Sequence, residues 1–321
     1  MMRDNAYYGI PTSAFKRTAW AVRRSFVGRT LSPFIAQSVY RFLQTSPTSF
    51  LASERLLRFG DRVQIWAVLD PRRGNIQIQF GPLKGLWVEN DPSPYFPTFR
   101  VLGIEEVMNQ IFFERLLRAG DTVYDVGANV GIHTLLFSRL VGPKGKVYAF
   151  EPFLQNLDRL KANLDLNKIE NVEVIASAVS QRSGRQRFLP GPDVSQGKLA
   201  DDSNVANQPG ALEVPTVSLD DFVAAPGRRL PSLIKLDIEG GEANALEGSR
   251  ATLQQAKPMI VCEVHGEAAG EGVRSVLRQC NYGLFLIERG LKAADPTEKL
   301  PDWCHSFAYH RDRELPTAVR L

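Results

Sequence analysis

The sequence predicts an α/β protein built on a doubly wound, mostly parallel sheet. From Asp121 onward, short apolar runs alternate with helical patterns, and strands buried on both faces of a parallel sheet have this composition. A glycine-containing turn follows the first of these strands, at the end of the sheet where such folds bind ligands. The 321 residues are 44 % hydrophobic and 23 % charged, which allows about two domains or one enlarged α/β domain.

Three segments are predicted along the chain. Residues 1–60 form a basic helical leader with one apolar helical stripe. Residues 61–120 form a small extension with short antiparallel strands and a helix over 104–118, because apolar residues first alternate and then recur at helical spacing. Residues 121–315 form the α/β domain. The apolar stripe of the leader consists of Phe15, Ala19, Val22 and Phe26.

The elements of the α/β domain follow from apolar runs and from a 3.6-residue periodicity. The strands are expected at 122–126, 146–150, 172–176, 233–238, 259–264, 284–287 and 306–309. The helices are expected at about 131–140, through Leu157, Leu160 and Leu164, at 242–255 and at 272–279. A segment rich in Gly, Pro, Asp and Ser at 190–211 is interpreted equally as a substrate loop or as a solvated insertion.

The net charge of +4 is concentrated near the start of the chain. Residues 1–60 contain nine Lys and Arg against two acidic residues, a net +7, so the remaining chain carries −3. This leader is interpreted as a helical cap on the catalytic domain, with peripheral contact to an anionic membrane as the alternative. No apolar run approaches the roughly 20 residues of a membrane span, and a signal peptide is not expected. The scattered Cys262, Cys280 and Cys304 favour a reducing, cytoplasmic location.

The turn after the first strand is predicted to bind a ligand. Gly127 permits a tight turn, and Gly131 lets the start of the following helix approach the ligand. Asn129 stands where a dinucleotide-binding turn has its second glycine, and no Gly-Lys-Ser/Thr sequence completes a P-loop. The carboxylate of Asp125 is suited to attract the ammonium group of an amino-acid-like ligand.

Glu151 ends the second strand, twenty residues after Gly131, where a carboxylate is the expected partner of ribose hydroxyls. The two turns together predict a nucleoside ligand without a pyrophosphate, of which S-adenosylmethionine is the common example. Two alternatives remain: an NAD-type oxidoreductase, and a cofactor-binding protein without catalytic activity. A nucleic-acid substrate is not expected, because the chain lacks the Asp/Asn-Pro-Pro-aromatic segment that holds a flipped base.

Polar residues at the ends of two later strands are the candidate catalytic group. Alternation places Asp237 and Glu239 on one edge, and Glu263 and His265 on the next. His265 is the first choice for general base, because its ordinary pKa lies near neutral pH, while Asp237 or Glu239 would orient it or accept the proton instead. Alternatively, these four residues bind Mg²⁺ or Mn²⁺. Glu242 is interpreted either as a helix-start carboxylate or as part of this group.

Several motifs occur in order between about residues 75 and 290. They are GPLKGLWV, DTVYDVGANVG, GPKGKVYAFEP, LKANLDLN, VEVIASAVS, VPTVSLDDF, LIKLDIEGGE and CEVH. With these motifs the chain resembles the FkbM family of S-adenosylmethionine-dependent methyltransferases. It departs from the family at Gly241, where Ala is common, and at Gly103–Glu105, which lacks the usual following Pro.

The resemblance implies the class I methyltransferase fold, a Rossmann-like, doubly wound sheet of seven strands whose last strand is antiparallel. It also implies methylation of hydroxyl groups on sugars, polyketides or other metabolites, and hence a small-molecule or glycan substrate. Asp125 would contribute to binding the methionine end of S-adenosylmethionine, Glu151 would bind the ribose, and Ala178 would lie near the adenine. The full cofactor-binding set is Asp125, Gly127, Ala128, Asn129, Gly131, Glu151, Pro152 and Ala178.

Overall fold

The structure is a computed structural model that describes residues 74–78, 81–89, 106–191, 197–199, 210–287, 292–294 and 299–316. The chain divides into two compact units, residues 1–108 and 109–321. The predicted leader of residues 1–60, the expected strand near Val63 and the Gly103–Glu105 segment lie outside the described residues. Within the described ranges, no helix has both the length and the apolar character needed to cross a membrane.

The described part of the first unit contains an antiparallel pair of short strands. Strand β1 (Ile76–Gln77) pairs with β2 (Trp87–Val88), with Ile76 opposite Val88. The connection is closed by two backbone hydrogen bonds, since the Ile78 N–H donates to the Leu86 carbonyl and the Gly85 N–H donates to the Ile78 carbonyl, both at 2.8 Å. The alternation of apolar residues around Ile76 therefore corresponds to strand structure.

The remaining strands, in chain order, are β3 (Thr122–Val126), β4 (Lys146–Phe150), β5 (Val172–Ile175), β6 (Ala178–Val179), β7 (Gly184–Leu189), β8 (Lys198–Leu199), β9 (Leu212–Val217), β10 (Leu233–Leu236), β11 (Met259–His265), β12 (Tyr282–Leu286), β13 (Lys292–Ala293) and β14 (Trp303–His310). The helices are α1 (Val107–Leu116), α2 (Ile132–Val141), α3 (Leu154–Leu166), α4 (Leu219–Ala224), α5 (Glu242–Glu247), α6 (Arg250–Ala256) and α7 (Glu267–Gln279).

The main sheet has the order β13-β12-β14-β11-β10-β3-β4-β5. Strands β3, β4, β5, β10 and β11 are mutually parallel, and β14 runs antiparallel between β11 and β12. This is the predicted doubly wound sheet with an antiparallel last strand. The two-residue β13 adds an eighth strand at the edge, which the sequence did not predict.

The parallel register brings the functional strand ends to one edge of the sheet. Val126 is paired with Phe150 on one side and Leu236 on the other, and Leu236 is paired with Cys262. All four side chains are buried, because strands covered by helices on both faces are apolar throughout. The residues that follow these four are therefore neighbours in space.

Two parts of the second unit differ from the predicted elements. The expected helix at 242–255 is split into α5 and α6 at Gly248, where an added Cβ would lie 2.3 Å from the Ser180 carbonyl oxygen. A smaller sheet of order β6-β9-β7-β8 was also not predicted. Its strand β8 falls inside the segment 190–211 that was expected to be irregular.

Candidate active site

The turn between β3 and α2 has a backbone shape that requires glycine. Gly127 has a φ of +82°, and a Cβ there would lie 1.9 Å from the carbonyl oxygen of Asp237. Gly131 has a φ of +91°, and a Cβ there would lie 2.3 Å from Leu160 Cδ1 of α3. The close approach that Gly131 allows is therefore to a neighbouring helix, whereas the sequence was interpreted as an approach to a ligand.

Asp125 is wholly buried at the end of β3. Its Oδ2 accepts a hydrogen bond of 2.6 Å from the Thr134 hydroxyl in the first turns of α2. Its Oδ1 accepts no hydrogen bond within the described residues and lies 3.8 Å from Lys235 Nζ. Asp125 thus fixes the start of α2 through one oxygen, and its other oxygen faces the buried ammonium group of Lys235.

Glu151 connects the turns that follow β3 and β4. Its Oε2 accepts the N–H of Asn129 at 2.9 Å, and its Oε1 accepts the N–H of Phe153 at 2.9 Å and the Asn156 amide at 3.4 Å. Burial raises the pKa of this carboxyl group, while the bonds from Phe153 and Asn129 act in the opposite direction. A carboxylate has about four acceptor positions, so Glu151 can accept a ligand hydroxyl as well.

The other predicted cofactor residues lie around these two turns. Ala128 is buried, Pro152 is partly buried, and Ala178 is buried in an apolar cluster with Phe188 and Val214. This arrangement combines an incompletely bonded carboxylate, a second carboxylate with spare acceptor capacity and an apolar wall. It fits a nucleoside that carries a cationic amino-acid group.

Lys235 connects these turns to the candidate catalytic residues. Although it is only 6 % exposed, its Nζ donates to the Gly127 carbonyl oxygen and to Asp237 Oδ2, both at 3.1 Å. Burying a charged ammonium group is costly unless it is paired, and here two carboxylates and a carbonyl surround it. One side chain therefore joins the cofactor turn to the end of β10.

His265, the last residue of β11, lies among four carboxylates. Its Nδ1 is 2.9 Å from Glu242 Oε1, and its Nε2 is 3.3 Å from Glu263 Oε1. The Nε2 also lies 3.8 Å from Glu239 Oε2 and 3.9 Å from Asp237 Oδ1. We call these five residues the acceptor cluster. Burial lowers the pKa of His265, but the bonds to Glu242 and Glu263 outweigh it and raise the pKa to about 11.

Glu242 serves both interpretations that the sequence left open. It is fully buried, and its Oε1 accepts the N–H of Gly240 at 3.0 Å and that of Ile238 at 3.4 Å. These bonds satisfy backbone donors in the turn that leads into α5, and the carboxylate stands at the first position of that helix, where the helix dipole favours it. The same oxygen holds Nδ1 of His265 and thereby orients the imidazole ring.

Strand β14 brings two residues to this edge that the sequence analysis missed. The register places His305 opposite Glu263 and Trp303 opposite His265, so these four side chains share one face of the sheet. Trp303 Nε1–H donates to Glu263 Oε1 at 2.7 Å, and Glu263 Oε2 lies 3.2 Å from His305 Nε2. Burial raises the pKa of Glu263, but hydrogen bonds to the two histidines dominate and hold it well below its usual range.

The acceptor cluster also contains a group that suits a metal ion. Asp237, Glu239 and His265 each offer one ligand atom, and these atoms lie within 4.8 Å of one another. Glu263, the fourth ligand that the sequence suggested, is instead engaged by Trp303 and His305. Burial is the largest effect that raises the pKa of Glu239; His265 lowers it, and neighbouring carboxylates raise it further.

The fold and these two turns define an S-adenosylmethionine-binding enzyme of the class I methyltransferase type. The family model described as "Methyltransferase FkbM domain" matches residues 125–284. The 31-O-demethyl-FK506 methyltransferase FkbM of Streptomyces tacrolimicus is 30 % identical over 176 residues, covering 46 % of this chain and 67 % of the relative. The chain therefore belongs to the FkbM family of methyltransferases.

Two further relatives have related descriptions. The hexuronic acid methyltransferase AglP of Haloferax volcanii is 29 % identical over 197 residues, covering 58 % of this chain and 78 % of the relative. The 2-O-methyltransferase NoeI of Sinorhizobium fredii is 27 % identical over 163 residues, covering 47 % of this chain and 65 % of the relative. The predictions of the fold class and of an S-adenosylmethionine-dependent methyltransferase are confirmed, and the NAD-type alternative is wrong.

Proposed function

We propose that this enzyme transfers a methyl group to a hydroxyl oxygen on a sugar, a glycolipid or a polyketide-like metabolite. The names of the relatives support this acceptor class, since they act on a hexuronic acid, on a demethylated FK506 and at a 2-O position. The observation that carries the proposal is the position of Lys235. Its ammonium group contacts both the cofactor turn at Gly127 and the acceptor cluster at Asp237.

In this proposal, the turns after β3 and β4 hold the cofactor. Asp125 faces its ammonium group, and Glu151 accepts hydrogen bonds from its ribose. Bound there, S-adenosylmethionine supplies an electrophilic methyl carbon on a sulfonium sulfur. Alignment of the attacking hydroxyl with this carbon would account for most of the acceleration, and a base would add about 10²–10⁴-fold.

A carboxylate of the acceptor cluster is the proposed proton acceptor. His265 was the first choice from the sequence, but Glu242 and Glu263 hold it in its protonated form at neutral pH by raising its pKa to about 11. Glu239 accepts a proton more readily than an ordinary carboxylate, because its pKa is raised by burial. The acceptor hydroxyl would pass its proton to Glu239 or Asp237, while protonated His265 fixes their position.

A divalent cation is the second candidate arrangement. The three ligand atoms of Asp237, Glu239 and His265 lie close enough to share one ion, and two carboxylates with one imidazole suit Mg²⁺ or Mn²⁺. His265 would contribute a deprotonated Nε2 to this site, beside the carboxylates of Asp237 and Glu239. A bound divalent ion would supply Lewis acidity that lowers the pKa of an acceptor hydroxyl.

Methyl transfer by the purified chain tests both arrangements. Labelled S-adenosylmethionine is incubated with a panel of hexuronosides, lipid-linked sugars and polyketide alcohols. Glu239→Gln and Asp237→Asn are expected to lower kcat by about 10²–10⁴-fold with little change in cofactor affinity. Glu267→Gln is the matched control, since Glu267 is exposed and pairs with Lys299. Loss of turnover on chelation, restored by Mg²⁺, would favour the cation, whereas no methyl transfer to any hydroxyl compound would refute the acceptor class.

The location of the enzyme and the role of residues 1–60 remain predictions from the sequence. We propose a cytoplasmic enzyme in which this basic leader is a helical cap. Vesicles of anionic lipid test the alternative of peripheral membrane contact. Salt-sensitive binding of the full chain to such vesicles, but not to neutral vesicles, would favour the membrane.

A further inference from the structure

Trp303 exposes an aromatic ring at the rim of the acceptor cluster. It is the first residue of β14 and lies opposite His265 in the antiparallel register. Its side chain is 51 % exposed, although tryptophan is on average highly buried. A single exposed apolar residue is common on a protein surface, so its orientation and its neighbours decide whether it has a function.

Two contacts hold the Trp303 ring in one orientation. Its Nε1–H donates to Glu263 Oε1 at 2.7 Å. Its ring also meets the His305 ring edge-to-face, with centroids 4.8 Å apart and an interplanar angle of 85°. The indole is therefore tied to the same carboxylate that faces His265 Nε2. An exposed ring that is fixed beforehand loses little conformational freedom when a ligand covers it.

The surroundings of the ring match the chemistry of a sugar. An aromatic face carries partial negative charge, and the C–H groups on one face of a pyranose are made electropositive by the neighbouring oxygens. The carboxylates of Asp237 and Glu239 beside His265 accept hydrogen bonds from hydroxyl groups. A pyranose ring has both features, since its C–H face is bordered by hydroxyls.

We propose that Trp303 is a stacking platform for the pyranose ring of the acceptor, and that it determines specificity for cyclic sugars. The C–H face of the ring packs on the exposed indole, and a hydroxyl at its border reaches the acceptor cluster. This inference rests on the proposed methylation of a hydroxyl group. It adds a residue that binds the acceptor and that has no part in holding the cofactor.

Binding to the full chain in the presence of S-adenosylhomocysteine tests the platform. The probes are methyl β-D-glucuronopyranoside, methyl β-D-glucopyranoside and the open-chain glucitol, and the readout is saturation-transfer NMR with titration to Kd. Wild type is expected to bind at least one pyranoside more tightly than glucitol. Trp303→Ala is expected to weaken that binding about tenfold or more and to abolish the preference.

Three measurements keep the outcome unambiguous. Trp303→Phe retains an aromatic face and should stay within about threefold of wild type. Trp87→Ala removes a 41 % exposed tryptophan from the other unit and should change nothing. Equal pyranoside affinity of Trp303→Ala and wild type, or no preference of wild type for either pyranoside over glucitol, would overturn the platform. Absence of methyl transfer to any hydroxyl compound, in wild type that binds S-adenosylhomocysteine, would instead refute the proposed function.

Discussion

The two halves of the candidate site differ in the groups that contact their carboxylates. At the cofactor turn, buried carboxylates are engaged by backbone N–H groups and a hydroxyl, and glycines set the path of the chain. In the acceptor cluster, side chains contact other side chains, and four carboxylates surround one imidazole. The contacts in the cofactor turn fix the path of the backbone, whereas the acceptor cluster brings several ionisable side chains close together.

This difference separates positioning from proton chemistry. Groups engaged by the backbone in a rigid turn can bind a ligand with little reorganisation. Charged groups that face one another shift each other's pKa values, as His265 and Glu263 do. We therefore expect substitutions in the cofactor turn to change folding and cofactor affinity, and substitutions in the acceptor cluster to change turnover and pH dependence.

The largest expected effect is on stability at Gly127. Gly127→Ala should lower the free energy of unfolding by about 3 kcal/mol or more, because the new Cβ clashes with the backbone of Asp237. Gly227→Ala is the matched control, since Gly227 has a φ of +81° and open space around its Cβ position. It should cost only about 1 kcal/mol of conformational strain.

Urea unfolding followed by circular dichroism measures both glycine variants. Equal losses of stability in Gly127→Ala and Gly227→Ala would mean that backbone conformation alone requires glycine at the turn. The close packing of the cofactor turn against the end of β10 would then have no energetic role.

The second prediction is that two buried carboxylates affect different quantities, one the turnover and the other the affinity for the cofactor. Glu242→Gln should lower kcat about 10–100-fold, because it weakens the bond that orients His265. The affinity for S-adenosylmethionine should stay near that of wild type. Glu151→Gln should do the reverse and raise the Kd for S-adenosylmethionine, because an amide cannot accept hydrogen bonds at both of its polar atoms.

Calorimetric titration with S-adenosylmethionine and steady-state turnover separate these two effects. Glu247→Gln is the control for Glu242, since it lies on the same short helix and pairs with Arg250 at the surface. If Glu242→Gln weakened cofactor binding as strongly as Glu151→Gln, the assignment of cofactor affinity to one half of the site and turnover to the other would be wrong.

The third effect, small within any one pH unit, is the pH dependence that His265 gives to stability. The folded chain holds this proton up to a pKa of about 11, compared with an ordinary value of 6.5. The stabilisation is therefore complete below about pH 6.5 and is lost as the pH rises towards 11. Between these limits, the advantage of wild type over His265→Gln should fall by at most about 1.4 kcal/mol per pH unit.

Urea unfolding of wild type and His265→Gln at several pH values, with and without Mg²⁺, measures how the difference in their stability changes with pH. A cation at Asp237, Glu239 and His265 would displace the proton and flatten the slope, so the same experiment distinguishes the two proposed arrangements. An identical pH dependence of wild type and His265→Gln without a metal would contradict the raised pKa.

Much of the fold could be predicted because its strands are buried on both faces. Strands β3 and β4 have the predicted bounds, since a parallel sheet leaves continuous apolar runs in the sequence. The small sheet was missed because its strand β7 (Gly184–Leu189) is mostly exposed and polar. The break between α5 and α6 was missed because the approach of the Ser180 carbonyl to Gly248 is a long-range contact.

The parallel core of the main sheet, the glycine turn and the carboxylates at the ends of β3, β4, β10 and β11 could be predicted from the sequence, because each of these depends on local pattern. Which side chains meet depends on the tertiary structure. The pairing of β14 with β11 brings Trp303 and His305 to Glu263, and the start of α5 brings Glu242 to His265. The contacts with Glu242 and Glu263 hold the proton on His265, since a pKa depends on neighbours that can be distant in the sequence.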